Sequence, residues 1–333
     1  MMIRFLKMLG VLTVACIALF VMLFFGTRGI YVVAPLVSED AMLPSVTIGG
    51  VQLHLRQIDG PAGAPTIIVL HGGPGGDFRS LLALSALSET HNVVFYDQRG
   101  AGLSERVSAE QLTLNDYISE LNSVKRRVSP NAPVTLFGHS WGAMLATAYL
   151  GQHPEDVTAA VLIEPGYLDS AGKSAWDEVA SRYMSGAKYW AEAVLTGFRA
   201  QHVNGPDPAA ADDFLIGHMV DLFTNHPENP YHCGDGYTAP SWRFGATASQ
   251  VWMDAPDAII DRLVADVRSF GGPVLLLAGE CNNWLGPLQN THLQLFANAS
   301  FQIIPNEGHD VIWDNPKATL VAIRRFLDLE KPE

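Results

Sequence analysis

The sequence predicts an α/β fold: a doubly wound, mostly parallel sheet with an inserted helical cap, preceded by an N-terminal transmembrane helix. Three observations predict it. Six short runs end in turn residues and are rich in Val, Ile, Leu or Phe: "TIIVLHGG" (66–73), "NVVFYDQRG" (92–100), "PVTLFGHS" (133–140), "AAVLIEPG" (159–166), "PVLLLAGE" (273–280) and "SFQIIPNEGH" (300–309). Continuous apolar runs of this length are what strands buried on both faces of a parallel sheet look like. Helical stretches at 113–128, 141–152 and 316–329 alternate with them, the order of a doubly wound sheet. The alternation stops between about 167 and 270. There Trp176, Trp190, Trp242 and Trp252 stand among helix-like patches, around "NHPENPYHCGDGYTAP" (225–240).

Taken in chain order, the first element is a run of nineteen uncharged residues from Met8 to Gly26, "MLGVLTVACIALFVMLFFG". About 20 apolar residues span a bilayer core as a helix. The competing reading is a cleaved signal peptide, whose apolar region is shorter and ends in small residues. This run ends in the bulky "FVMLFFGTRG", which favours an uncleaved single-pass anchor over residues 1–30. Arg4 and Lys7 before the run and Arg28 after it set the N-terminus inside and the remaining chain on the outer, periplasmic or extracellular, side. After a linker around 27–44, "SVTIGG" and "VQLHLRQID" mix apolar and polar residues as an antiparallel edge hairpin does. The core is then expected over 45–166 and 271–333, with the cap over 167–270.

Composition narrows the function. Of 333 residues, 48% are hydrophobic and 17% charged, enough for a sizeable packed core. The net charge of −13 excludes a nucleic-acid binder and a polybasic membrane-surface role. No CxxC or HExxH pair exists, so neither metal nor cofactor is expected. Cys16 lies in the anchor. Cys233 and Cys281 form either a disulfide, which an exported domain would retain, or two buried thiols. Asn298-Ala-Ser is a glycosylation acceptor pattern that matters only in a eukaryotic secretory route.

The chemistry concentrates at three strand ends. "GHSWG" (138–142) follows a strand and opens a helix, the context in which G-x-S-x-G raises a serine clear of a sheet. Gly138 and Gly142 relieve the crowding of that bend, and Ser140 is the candidate nucleophile, at a helix N-terminus that favours negative charge. "HGGPGG" (71–76) is a glycine-rich loop whose backbone can approach a developing oxyanion. Gly73 and Trp141, through their N–H groups, are the expected oxyanion donors. "NEGHD" (306–310) follows the last strand and carries His309. As the base that activates Ser140, His309 comes after the serine in the chain order this motif requires. His71 and His139 flank the site and are expected to shape their loops, and His232 in the cap either lines a pocket or, the favoured reading, lies on a surface loop.

Together, "HGGPGG", "DQRGAGLS" (97–104) and "GHSWGAMLA" (138–146) resemble the proline iminopeptidase branch of the α/β-hydrolase superfamily, over about residues 45–165 and 270–330. The resemblance implies a serine aminopeptidase acting on short peptides or amino-acid amides, with Ser140 as nucleophile, His309 as base, Gly73 and Trp141 as oxyanion donors, and Asp97 and Arg99 structural. Two departures stand out. The family's acid position, G-x-x-D, reads Gly279-Glu280-Cys281-Asn282, and "SWRFGATA" (241–248) stands where a glutamate motif for a free amino terminus would lie. Asn282 can bond an imidazole but cannot stabilise an imidazolium by charge. Two carboxylates can replace it: Glu164, ending the strand "AVLIEPG", and Glu280, two residues early on the next strand's turn. Haloalkane dehalogenases look similar in placing their acid where Glu164 stands, but their nucleophile would be an aspartate. Alternatives to the peptidase are an esterase or lipase-like hydrolase of small acyl esters, and a membrane-tethered binding protein with a weakened triad.

Overall fold

In a computed structural model of the chain, residues 2–282 and 286–328 are described. Eight strands form one sheet: β1 (Ser45–Ile48), β2 (Val51–Ile58), β3 (Thr66–Leu70), β4 (Asn92–Tyr96), β5 (Val134–His139), β6 (Val157–Ile163), β7 (Val274–Gly279) and β8 (Ala299–Ile304). Their order is β1-β2-β4-β3-β5-β6-β7-β8. The expected hairpin is β1 and β2, which pair antiparallel, as β2 does with β4. All later pairings are parallel. Every residue of β3, β5 and β7 is buried, as their unbroken apolar runs require. The last run departs from expectation: β8 is an edge strand with one face largely exposed, because no strand lies beyond it.

The helices are α1 (Met2–Gly26), α2 (Leu114–Val128), α3 (Trp141–Gln152), α4 (Ser170–Tyr183), α5 (Ala187–Ala200), α6 (Ala210–Thr224), α7 (Ala246–Met253), α8 (Asp257–Ile260), α9 (Gly286–His292), α10 (Val311–Asp314) and α11 (Pro316–Phe326). Helix α2 starts where its sequence signals: Thr113 and Asp116 close a reciprocal capping box. Residue 329, the last of the expected C-terminal helix, lies outside the described residues. One sheet face packs on α2 and α3 through Leu121, Val124, Leu145 and Tyr149. The other packs on the turn 79–89, α10 and α11 through Leu84, Ile312 and Ile323. Each such buried aliphatic contributes about 1.5–3 kcal/mol relative to exposure.

Between β6 and β7 the chain runs through α4–α8. Its last part, α7 and the turns through Phe270, packs into the cluster beneath α3. Trp252 lies against Trp141 with ring centroids 4.0 Å apart. Cys233 and Cys281 are disulfide-bonded, their Cα atoms 5.4 Å apart, which ties the loop after α6 to the turn after β7. The Arg4–Gly26 stretch of α1 is long and apolar enough to cross a membrane, and none of it is buried in the protein.

Candidate active site

Ser140 sits on the bend between β5 and α3 with φ 52° and ψ −117°, a strained conformation for a residue with a Cβ. Its backbone N–H donates to Ile163 O at 2.8 Å, pinning the bend to β6. The flanking glycines are dictated by packing. A Cβ on Gly138 would meet Gly142 O at 2.4 Å, and one on Gly142 would meet Leu70 O at 2.2 Å.

The glycine-rich loop after β3 reaches the same place. Gly73 has φ 50°, and a Cβ on Gly72 would lie 2.9 Å from Ser140 Cβ. Gln98, fully buried and not singled out in the sequence, holds this loop and Trp141 together. Its backbone N–H donates to His71 Nε2 at 3.0 Å and its amide donates to His71 O at 3.2 Å. Its Oε1 accepts from Trp141 Nε1 at 2.9 Å. The "DQRG" signature is where that residue could have been found. Asp97 takes a scaffold position: its carboxylate accepts from Phe78 N and Leu103 N and contacts His54 Nδ1. Arg99 binds Glu120. Replacing Gln98 by Leu leaves His71 and Trp141 polar atoms buried without partners. It is expected to lower kcat about tenfold to a hundredfold, less than the roughly hundredfold to thousandfold cost of removing an oxyanion donor outright, because the donors remain and only their support is lost. Steady-state kinetics with circular dichroism as a folding control checks this.

His309, 4% exposed, is built in from several sides. The Tyr231 ring stacks on it at 4.1 Å between centroids, inclined by 10°. Its backbone N–H donates to Tyr231 O at 3.2 Å, and its carbonyl lies 2.9 Å from His139 Nε2. Behind its Nδ1 stands Glu164, with Oε2 3.5 Å away. Glu164 has φ 49° and no exposed surface. Its Oε1 accepts from Gly279 N and its Oε2 from Asn282 Nδ2, each at 2.5 Å. Asn282 Nδ2 is also 3.4 Å from His309 Nδ1, so Glu164 and Asn282 share the space behind the imidazole. Burial pushes Glu164 up to about 8 and His309 down to about 4, so both resist charge.

Glu280, the alternative acid, is not at this position. It is exposed, and its carboxylate turns to accept from Asn306 N at 2.9 Å. Its side chain leaves the β7 turn toward β8, whereas β6 delivers Glu164 directly beneath His309. His71 and His139 serve the loops; His232, expected on a surface loop, is instead buried and outside the cavity lining, because it folds back on its own loop through His226 O and Gly234 N.

Gly73, Ser140, Trp141 and His309 line one cavity of about 390 Å³. No hydrogen bond joins the Ser140 and His309 side chains among the described residues; contacts between a nucleophile and its base often tighten only with substrate bound. Much of the remaining wall is apolar, including Met144, Tyr167, Trp176, Phe223, Phe244 and Trp252, with Ser80, Thr224, Ser249 and Gln250 among its polar members. Three carboxylates reach it, and each is engaged. Asp77 accepts from Ser241 Oγ at 2.7 Å and Trp242 N at 2.6 Å. Asp177 pairs with Lys173 at 2.7 Å, and Asp310 accepts from the Tyr237 hydroxyl.

A family model described as the alpha/beta hydrolase fold matches residues 65–316. A proline iminopeptidase of Heyndrickxia coagulans is 23% identical over 290 residues, covering 85% of this chain and 97% of its own. Among solved structures, the proline iminopeptidase of Mycobacterium smegmatis superposes with a TM-score of 0.57 at 19% identity, over 86% of this chain and 97% of that one. Est816, described as an N-acyl homoserine lactone degrading enzyme, superposes with a TM-score of 0.59 at 18% identity, over 85% of this chain and 100% of that one. With its strand order, its serine bend and a family match spanning most of the sequence, the chain belongs to the α/β-hydrolase fold family.

Proposed function

We propose that the chain is a serine hydrolase working through an acyl-enzyme, and that small, largely apolar acyl esters suit its cavity best. The observation that carries this is the convergence of Ser140, on its strained bend, and His309, backed by Glu164, on one apolar cavity. Ser140 Oγ attacks the carbonyl carbon while His309 takes its proton. The N–H groups of Gly73 and Trp141 hold the oxyanion, His309 returns the proton to the leaving group, and water repeats the sequence on the acyl-enzyme. Glu164 orients the imidazole and stabilises its charged form. A fluorophosphonate probe is expected to label the chain once, with the added mass on the Ser140 peptide. Failure to label a folded, pure preparation overturns the acyl-enzyme and favours the binding-protein alternative.

The aminopeptidase reading, first on sequence, comes second on geometry. The relatives named proline iminopeptidase favour it. An ammonium beside the scissile carbonyl needs a carboxylate aimed at it; of the three that reach the cavity, Asp77 is taken up by Ser241, Trp242 and Arg79, Asp177 faces Lys173 at the half-exposed rim, and Asp310 accepts from the Tyr237 hydroxyl, so none stands unpartnered in the apolar part of the wall. Turnover of p-nitrophenyl butyrate well above proline arylamide is expected, and the reverse ranking restores the peptidase. We read α1 as an uncleaved anchor with the hydrolase domain on the outer side.

The pH profile follows from the buried pair. Below its raised pKa of about 8, Glu164 is largely protonated and cannot stabilise the imidazolium. Above it the carboxylate is charged and the imidazole remains the base. A soluble ester should therefore show kcat/KM climbing with pH toward a plateau above about 8. A flat profile from about pH 5 to 8 sinks this assignment.

A further inference from the structure

Helix α1 does not leave the protein cleanly. Its last turns rest on α5: the Phe20 ring meets Phe198 edge-on at 5.3 Å, and Phe24 meets His202 at 4.6 Å. His202 Nε2 also lies 2.7 Å from Phe24 O, and Tyr31 in the linker pairs with Val203. The apolar stretch Arg4–Gly26 has 23 residues, about 35 Å of helix at 1.5 Å per residue, against a hydrocarbon core of about 30 Å. Phe20 is six residues before the helix end, about 9 Å inside it. If α1 crosses a bilayer, Phe20 lies within the hydrocarbon, and Phe198 touches it there. Helix α5 must then lie at the bilayer boundary.

The outer side of α5 fits that position. Trp190, Val194 and Phe198 recur at a spacing of four, a single stripe along the helix. Phe198 is covered by α1, whereas Val194 and Trp190 continue the stripe at 52% and 62% exposure. Beside it, the linker leaves Ile30 95% and Val32 72% exposed. A tryptophan at the end of an apolar stripe is the usual furniture of a membrane–water interface. Tyr189, the neighbour of Trp190, lines the cavity that holds Ser140.

We infer that the Trp190–Val194–Phe198 face of α5 is a lipid-contact surface, seated in the leaflet that α1 enters at its C-terminal end. It sets the catalytic cavity against the bilayer surface, so that acyl esters partitioning into that leaflet are its preferred substrates. The inference rests on the reading of α1 as an anchor, and for its substrate class on the esterase reading above.

The test uses the full chain in phosphatidylcholine nanodiscs, its intact mass confirming that residues 1–26 remain. Lipids brominated near the headgroup are expected to quench wild-type tryptophan fluorescence more than that of Trp190→Phe, with Trp313→Phe as the exposed control that leaves quenching unchanged. Equal quenching in wild type and Trp190→Phe overturns the lipid contact, and so does a chain found cleaved after α1. This readout needs no turnover, so it stands apart from any failure of the esterase reading. For substrate delivery, turnover of a long-chain ester in the disc is divided by that of a soluble short ester. In Trp190→Glu/Val194→Glu the ratio should fall at least about tenfold, the loss expected when a large buried apolar side chain is removed from its site. An unchanged ratio overturns delivery from the leaflet.

Discussion

Replacing Glu164 by Gln is expected to lower kcat by about four powers of ten, the cost seen when a triad carboxylate becomes an amide. Gln keeps the volume, so the buried position stays filled. What changes is the charge behind His309 Nδ1, held 3.5 Å away by the native carboxylate. An amide there cannot stabilise the imidazolium that forms as Ser140 attacks. The neighbouring Asn282 makes the assignment separable from damage to the fold, because its side chain lies 3.4 Å from the same nitrogen. In Glu164→Gln/Asn282→Asp a carboxylate returns from the other strand end, and the amide introduced just after β6 can supply the bond that Asn282 donates in the wild type. The double variant is expected to recover about a hundredfold or more of the loss, since the charge and not the backbone position does the chemistry. Asn282→Asp alone is expected to move the rise of kcat/KM to higher pH than in the wild type, because two adjoining buried carboxylates retain a shared proton. Single-turnover kinetics on a chromogenic ester, with all variants matched by circular dichroism, reads all three. Activity of Glu164→Gln within tenfold of wild type removes Glu164 from the triad.

Replacing Cys233 and Cys281 together by Ser is expected to destabilise the chain by about 4 kcal/mol, from the entropy of a loop this long in the unfolded state. The sequence separation is 48 residues, and the bond joins two segments that otherwise belong to different layers. Its consequences should reach the chemistry. Cys233 follows His232 and Tyr231, the ring stacked on His309, and Cys281 precedes Asn282, which donates to Glu164. Loosening the bridge frees both sides of the imidazole at once. Denaturant unfolding, followed by tryptophan fluorescence with and without reductant, should show the wild type moving toward the Ser variant on reduction. A shift under about 1 kcal/mol would make the bond dispensable to stability.

Much of this site was legible in advance because its parts are local. The bend at Ser140 needs two glycines at fixed offsets, and the distances at Gly138 and Gly142 give the steric reason. The loop bearing Gly73 and the turn bearing His309 each follow a buried strand, so their place at one end of the sheet follows from strand direction alone. The acid was not local. Glu164 and Glu280 both end apolar runs, and both are near enough to serve. Only the positive φ at Glu164 and the outward turn of Glu280 to Asn306 separate them. Gln98 was hidden for the same reason: its role is to join two segments, and neither announces the other.

By itself, the sequence determined the alternating sheet, the strained serine, the glycine loop and the apolar leading helix, because these are properties of short stretches: burial run, steric crowding and hydropathy. Tertiary structure alone decided which carboxylate stands behind His309, that Cys233 meets Cys281, and that the stripe on α5 continues onto α1. Those depend on where distant backbone segments converge, a matter of sub-ångström direction at strand ends that no local pattern encodes.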